Sequence, residues 1–146
     1  MVVNPAGFVL IDDGGVPRSF TGVARNTISG GDFVYISGAD AVVSSGANSF
    51  NPVTDILLCT AASGNLVNGV AMNNAGSNSV VTVVTRGRVL VTCNATVTAG
   101  GKVAVDGANS VLDAGSVAGN VAALRTIGRS LTGNSSGGYV LVDLQC

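Results

Sequence analysis

Ser79-Val80-Val81-Thr82-Val83-Val84-Thr85 is followed, across Arg86-Gly87, by Arg88-Val89-Leu90-Val91-Thr92. Most residues in both runs are β-branched. Such side chains lose rotamer freedom on a helix but pack well on a pleated surface, so both runs read as strands, with Gly87 as the breaker between them. Working outward, similar runs recur: Phe8-Val9-Leu10-Ile11, Phe33-Val34-Tyr35-Ile36, Val42-Val43, Asp55 to Cys59, Leu66 to Met72, Lys102 to Val105, Val121 to Leu131, and Tyr139 to Leu144. Gly, Asn, Asp or Ser bounds each of them, as in Asp12-Asp13-Gly14-Gly15 and Ser44-Ser45-Gly46. Many short strands with frequent turn signals predict an all-β chain, a compact β-barrel or β-sandwich. Two segments have some helical character. Asp113 to Leu124 contains Gly115 and Gly119, each costing about 1 kcal/mol relative to Ala in a helix, so it reads as loop then strand. Asn51 to Ala62 opens on Asn51-Pro52, which suits a first helical turn, and reads as strand.

An internal echo organises these runs. Thr27-Ile28-Ser29-Gly30-Gly31-Asp32-Phe33-Val34-Tyr35-Ile36 resembles Val97-Thr98-Ala99-Gly100-Gly101-Lys102-Val103-Ala104-Val105-Asp106. Further on, Val67-Asn68-Gly69-Val70-Ala71-Met72 is echoed by Thr126-Ile127-Gly128-Arg129-Ser130-Leu131. A polar turn and a Val-rich strand follow each time, Val80 to Thr85 and Tyr139 to Leu144. The expected organisation is a β domain over residues 27–146, with pseudo-repeats at about 27–87 and 97–146. The Gly pairs would supply positive φ before each strand. Residues 1–26, with Pro5 and Pro17, fall outside the echo and read as an N-terminal arm or an edge hairpin.

Composition excludes whole classes of chemistry. The 146 residues include 21 Gly, 10% charged residues, no His and no Trp. All eight acidic residues are Asp, and Lys102 is the sole lysine. Without His there is no Ser-His-Asp or Cys-His catalysis and no His-held metal or haem. A net charge of −1 with scattered arginines lacks the footprint of a nucleic-acid binder. No apolar run approaches the roughly 20 residues of a membrane-spanning helix, and no basic-then-apolar leader opens the chain. Cys59, Cys93 and Cys146 form no CxxC pair and read as small buried hydrophobes made in a reducing cytoplasm, with Cys146 free for an intermolecular bond.

Candidate chemistry is correspondingly thin. Asp12 and Asp13 are adjacent, so on a strand they would face opposite ways and form no acid/base pair. Asp32, Asp40, Asp106 and Asp113 lie at expected loops without the clustered oxygens of a calcium loop. Gly30-Gly31 and Gly137-Gly138 lack the Lys-Ser/Thr of a phosphate loop. No catalytic, cofactor-binding or metal-binding residue is expected, and the chain does not read as an enzyme. Arg86 and Arg88 alternate onto one face, where they would meet solvent or an acidic partner; Arg125 and Arg129 fall on the equivalent late segment. Phe8, Arg18, Arg86 and Arg88 are the expected inter-subunit or capsid contacts, through the N-terminal arm and a loop around Arg86 to Arg88.

The pattern resembles a known family. Ser29 to Tyr35, Asn68 to Ala71, Arg86 to Val89, Thr98 to Asp106, Ile127 to Leu131 and Tyr139 to Leu144 look like the strands of small capsid decoration (cement) proteins of tailed bacteriophages, closest to the DUF2190-like group. The resemblance covers about residues 25–146. It departs at Gly101-Lys102, where similar proteins usually carry Gly-Asp. It implies a non-enzymatic virion protein that binds the outer surface of an assembled capsid, with the major capsid protein as partner. It also implies homo-oligomers, a trimer above all, and no nucleic acid, membrane or cofactor. A protein that binds only assembled capsomers stabilises that state by mass action, and repeated weak contacts add through effective concentration. Other virion parts, such as a tail tube, fibre or head fibre, share the composition. A carbohydrate-binding β domain would want more aromatic platforms than the four Phe and two Tyr present.

Overall fold

The computed structural model describes residues 9–12, 18–37, 56–61, 66–116 and 126–146. The expected strand at Val42-Val43 and residues 117–124 of the helix-like stretch Asp113 to Leu124 lie outside them. The strands in chain order are β1 (Val9–Asp12), β2 (Arg18–Ala24), β3 (Phe33–Ile36), β4 (Leu57–Thr60), β5 (Gly69–Ala71), β6 (Val80–Cys93), β7 (Lys102–Val105), β8 (Ser110–Asp113), β9 (Thr126–Ser130) and β10 (Tyr139–Gln145). One turn of 3-10 helix, Ala114–Ser116, follows β8. The all-β expectation holds.

The pairings close twice on β6. Along one path β6 meets β2, β4, β3 and β5, and β5 returns to β6; along the other it meets β8, β7, β9 and β10, and β10 returns to β6. Two five-membered rings therefore share one strand. In each, a single parallel contact joins the first strand to the third: Val23↔Leu57 and Ala24↔Leu58 in the first, Thr92↔Ser110 and Cys93↔Val111 in the second. The remaining contacts of the rings are antiparallel.

Gly87 does not break the chain. It lies buried inside the 14-residue β6, opposite Leu144. The bend needed to pass from one ring to the other comes just before it. Ser19 stands opposite Val84 and Arg18 opposite Arg86, so Thr85 is an extra residue on β6. A bulge of this kind kinks the strand and disturbs its alternation. Val83 and Val84 come before it and face opposite ways, and both are buried, Val83 in the core of the first ring and Val84 in that of the second.

Each ring has its own core. Ala24, Ile28, Val34, Leu58, Ala71, Ala75, Val81 and Val83 fill the first. Val89, Val91, Cys93, Val97, Val103, Val105, Val111, Ile127, Val140, Val142 and Leu144 fill the second. Phe33, Val67, Val70 and Val84 belong to the second cluster although their strands, or the approach to β5, lie in the first ring. Successive strand residues face opposite ways, so Phe33, Val70 and Val84, next to Val34, Ala71 and Val83, form the outer face of the first ring, and the second ring buries it.

The turns repeat as the strands do. Gly31 (φ 97°) and Gly100 (φ 82°) hold the same place, donating to Ala71 O and Ser130 O respectively at 2.8 Å. The following amides, of Asp32 and Gly101, donate back to Ser29 O and Thr98 O. Only glycine takes such φ values without strain. The correspondence is therefore Gly31 with Gly100, one residue off the pairing of Gly30-Gly31 with Gly100-Gly101 that the letters suggest. Later turns match likewise: Ile28 bridges Ala75 as Val97 bridges Asn134, and Ser77 Oγ donates to Arg25 O as Ser136 Oγ does to Asn94 O.

Residues 18–24, within the N-terminal segment 1–26, form β2. β2 closes the first ring, and β1 lies along the same edge of β6, Val9↔Leu90 and Asp12↔Arg88, beyond the end of β2. Both run antiparallel to β6, so they point the same way and cannot be the two arms of one hairpin.

Candidate functional site

Of the four residues expected at contacts, Phe8 lies outside the described residues. The other three come together at the middle of β6. Arg18 stands opposite Arg86, and Arg88 stands between Asp12 of β1 and Asp143 of β10. Arg18, Arg86 and Arg88 are exposed. Arg86 and Arg88 sit in mid-strand rather than in a loop, because β6 continues through Gly87.

Arg88 is one member of a longer row. Register places Lys102 opposite Arg129, Arg129 opposite Asp143, Asp143 opposite Arg88, and Arg88 opposite Asp12. The row crosses β7, β9, β10 and β6 and, in backbone register, reaches β1. Lys102 and Arg129 are exposed and Asp143 is half-buried. Gln145 Nε2 donates to Asp143 Oδ2 at 3.4 Å. Sequence reading singled out Arg88 and noticed Arg129, but missed Lys102 and Asp143 as their neighbours. The signal was present as one charge per strand, and only the strand order lines the charges up.

The row borders a concavity of about 430 Å³, lined by Lys102, Thr126, Gly128, Arg129, Leu131, Asp143 and Gln145. Most lining residues have a counterpart in the first ring. By strand register Phe33, Gly69, Val70 and Val84 stand where Lys102, Gly128, Arg129 and Asp143 stand, and Val67 and Met72 are spaced from Gly69 as Thr126 and Leu131 are from Gly128. Phe33, Val67, Val70 and Val84 are buried. Their replacements, Lys102, Thr126, Arg129 and Asp143, are all polar. Gly69 and Gly128 are retained for a steric reason: a Cβ on Gly69 would fall on the Val84 carbonyl and the Val83 side chain, and one on Gly128 would fall on the Asp143 carbonyl.

The other titratable groups serve the fold. Asp32 accepts the Ser29 amide proton through Oδ2 at 2.9 Å. Burial raises its pKa, and the Ser29 hydrogen bond only partly opposes the shift. The carboxylate caps its own turn. Asp106 Oδ2 accepts from Asn94 Nδ2 at 2.8 Å, and Asp113 Oδ1 accepts the Gly115 amide proton at 3.1 Å. Cys59, Cys93 and Cys146 are free thiols, half-buried, buried and exposed in that order. Among the described residues no three His, Cys, Asp or Glu side chains gather as metal ligands, and no helix is long and apolar enough to cross a membrane.

No family model matches the chain, and no curated protein matches it in sequence. The solved structures place it in an architectural class. Its all-β fold is shared with a viral structural protein, the N base of the head fibre gp8.5 of bacteriophage phi29. The TM-score is 0.58, with 89% of this chain and 95% of that chain covered at 12% identity. A likeness at that identity is one of fold.

Proposed function

We propose that the chain is a non-enzymatic structural protein of a bacteriophage virion. It binds the outer surface of an assembled capsid and bridges capsomers to stabilise the shell, with the major capsid protein as partner and homo-oligomers, trimers above all, as the working form. The observation that carries this reading is the likeness in fold to a head-fibre base over nearly the whole of both chains. The physical character agrees. A chain with 10% charged residues and net charge −1 repels its own copies little at the density of a capsid surface. Among the described residues, two hydrogen-bonded rings sharing a strand leave few frayed elements for proteases.

The same likeness favours a second reading, that the chain is the base of a head fibre. One experiment separates them. Heads would be assembled with and without this protein, then compared for binding by co-sedimentation and for resistance to heat and osmotic shock. Co-sedimentation with raised resistance supports the decoration role. Co-sedimentation with unchanged resistance, and a projection lost from heads lacking the protein, supports the fibre base. Absence from heads altogether would sink both. Light scattering on the purified chain reads the oligomer directly, and a monomer in solution and on heads would remove the trimer from the proposal.

A further inference from the structure

The outer face of the first ring has a visible occupant. The turn between β7 and β8 sits on it, with the Phe33 amide donating to the Ala108 carbonyl at 2.6 Å, and Phe33, Val67, Val70 and Val84 are buried in the second ring's core cluster. The second ring carries the corresponding face, and there Lys102 and Arg129 are exposed on the wall of the 430 Å³ concavity. We propose that this concavity seats an acidic loop of a neighbouring protein. That the neighbour belongs to a phage head rests on the functional reading above; the chemistry of the seat does not.

Two independent observations support the choice of occupant. The first is architectural: at the equivalent place in the first ring, the fold receives a polypeptide loop and hydrogen-bonds it through the backbone. The second is electrostatic. Asp143 lies in register between Arg129 and Arg88, so its charge is offset from both sides, whereas Lys102 and Arg129 stand side by side as two cations. A loop carrying carboxylates offsets that surplus, and a guanidinium can grip a carboxylate through two parallel hydrogen bonds. An apolar loop would instead strip water from Lys102, Arg129 and Asp143 without return. The turn at Asp106 to Asn109 of a second copy is not available, because Ala108 is engaged on its own first ring.

The test uses the full chain, labelled for amide NMR, and two probe peptides: acetyl-Gly-Asp-Gly-Asp-Gly-amide and its Asn twin. The Asp peptide should shift the amides of Lys102, Thr126, Arg129 and Gln145, and the response should fade as salt is raised through the range where the screening length falls from about 10 Å to about 3 Å. The Asn peptide should leave them unmoved. Lys102→Gln/Arg129→Gln should abolish the response while the rest of the spectrum stays as it was. Equal response to both peptides, shifts confined to other regions, or no shifts at all would overturn the proposal. So would shifts of these same amides with protein concentration alone, which would mean that a second copy fills the seat.

Co-sedimentation with heads lacking the protein separates this inference from the functional reading. Loss of about tenfold in affinity for Lys102→Gln/Arg129→Gln supports the seat as the contact, the size expected of two solvent-exposed charge pairs. Undiminished binding of that variant overturns the seat while leaving the virion role standing. A wild-type chain that ignores heads but responds to the Asp peptide supports the seat and overturns the virion role.

Discussion

Phe33, Val70 and Val84 on the first ring occupy the places of Lys102, Arg129 and Asp143 on the second. The backbones around them make the same pairings and the same turn hydrogen bonds. The side chains differ because one face has a permanent neighbour within the chain and the other has none among the described residues. A third ring docked on Lys102 and Arg129 as the second is docked on Phe33 and Val70 would have to desolvate two cations. The charged row therefore ends the series, as polar capping repeats end a solenoid.

The sharpest way to break the contrast is to give the first face the residues of the second. Val70→Arg or Phe33→Lys would place an unpaired cation in the interface between the rings, and each should cost about 4 kcal/mol or more. Urea unfolding followed by circular dichroism would measure it; a loss under about 1 kcal/mol would mean that the rings are not packed through this face.

Next in size, Gly69→Ala and Gly128→Ala should each cost about 3 kcal/mol, because the new methyl meets a backbone carbonyl that cannot swing away. Their losses should be alike, since the two glycines share the same φ near 155° and the same strand environment. Thermal unfolding of the pair would show this, and a large inequality would mean that one ring can relax where the other cannot.

A smaller effect separates the two turns that follow. Asn73 Oδ1 accepts the Thr82 amide proton at 2.9 Å, and its Nδ2 donates to Asn74 O and Val80 O, both at 3.1 Å. Thr132 at the matching position only accepts, from the Leu141 amide at 3.0 Å. Asn73→Ala should therefore cost about 1 kcal/mol and Thr132→Ala about 0.5 kcal/mol, read from denaturant midpoints.

The exchange in the other direction should hardly touch stability. Lys102→Phe/Arg129→Val/Asp143→Val changes surface side chains, so unfolding should move by no more than about 1 kcal/mol. What should change is association. An apolar face open on one side of the molecule invites head-to-tail growth, which light scattering across protein concentration would register. A variant that stays in the wild-type state of association would show that the charges are not what keeps this face free.

Much of the strand content was legible. Phe33 to Ile36, Lys102 to Val105 and Tyr139 to Leu144 are strands where β-branched and aromatic runs meet turn residues. β2 and β8 escaped notice. Arg18-Ser19-Phe20-Thr21-Gly22-Val23-Ala24 and Ser110-Val111-Leu112-Asp113 carry too few apolar residues in a row to stand out, and it is pairing with β6 that makes strands of them. Gly87 read as a breaker because a glycine between two Val-rich runs ordinarily is one; here the strand passes through it on the way from ring to ring. The Gly-Gly echo misled by one residue, since letters cannot distinguish the glycine that needs positive φ from the one beside it.

The sequence alone determined that this protein is all-β, that its runs recur, and that it has no His to offer for catalysis or metal binding. Those conclusions follow from residue types and local spacing, which act over a few residues. Tertiary structure decided that one strand serves two rings, that Phe33 and Val70 are inside although they face outward from their own ring, and that Lys102, Arg129, Asp143 and Arg88 form a row. Each of these depends on which strands lie side by side, and strand order is set by packing between residues far apart in the chain.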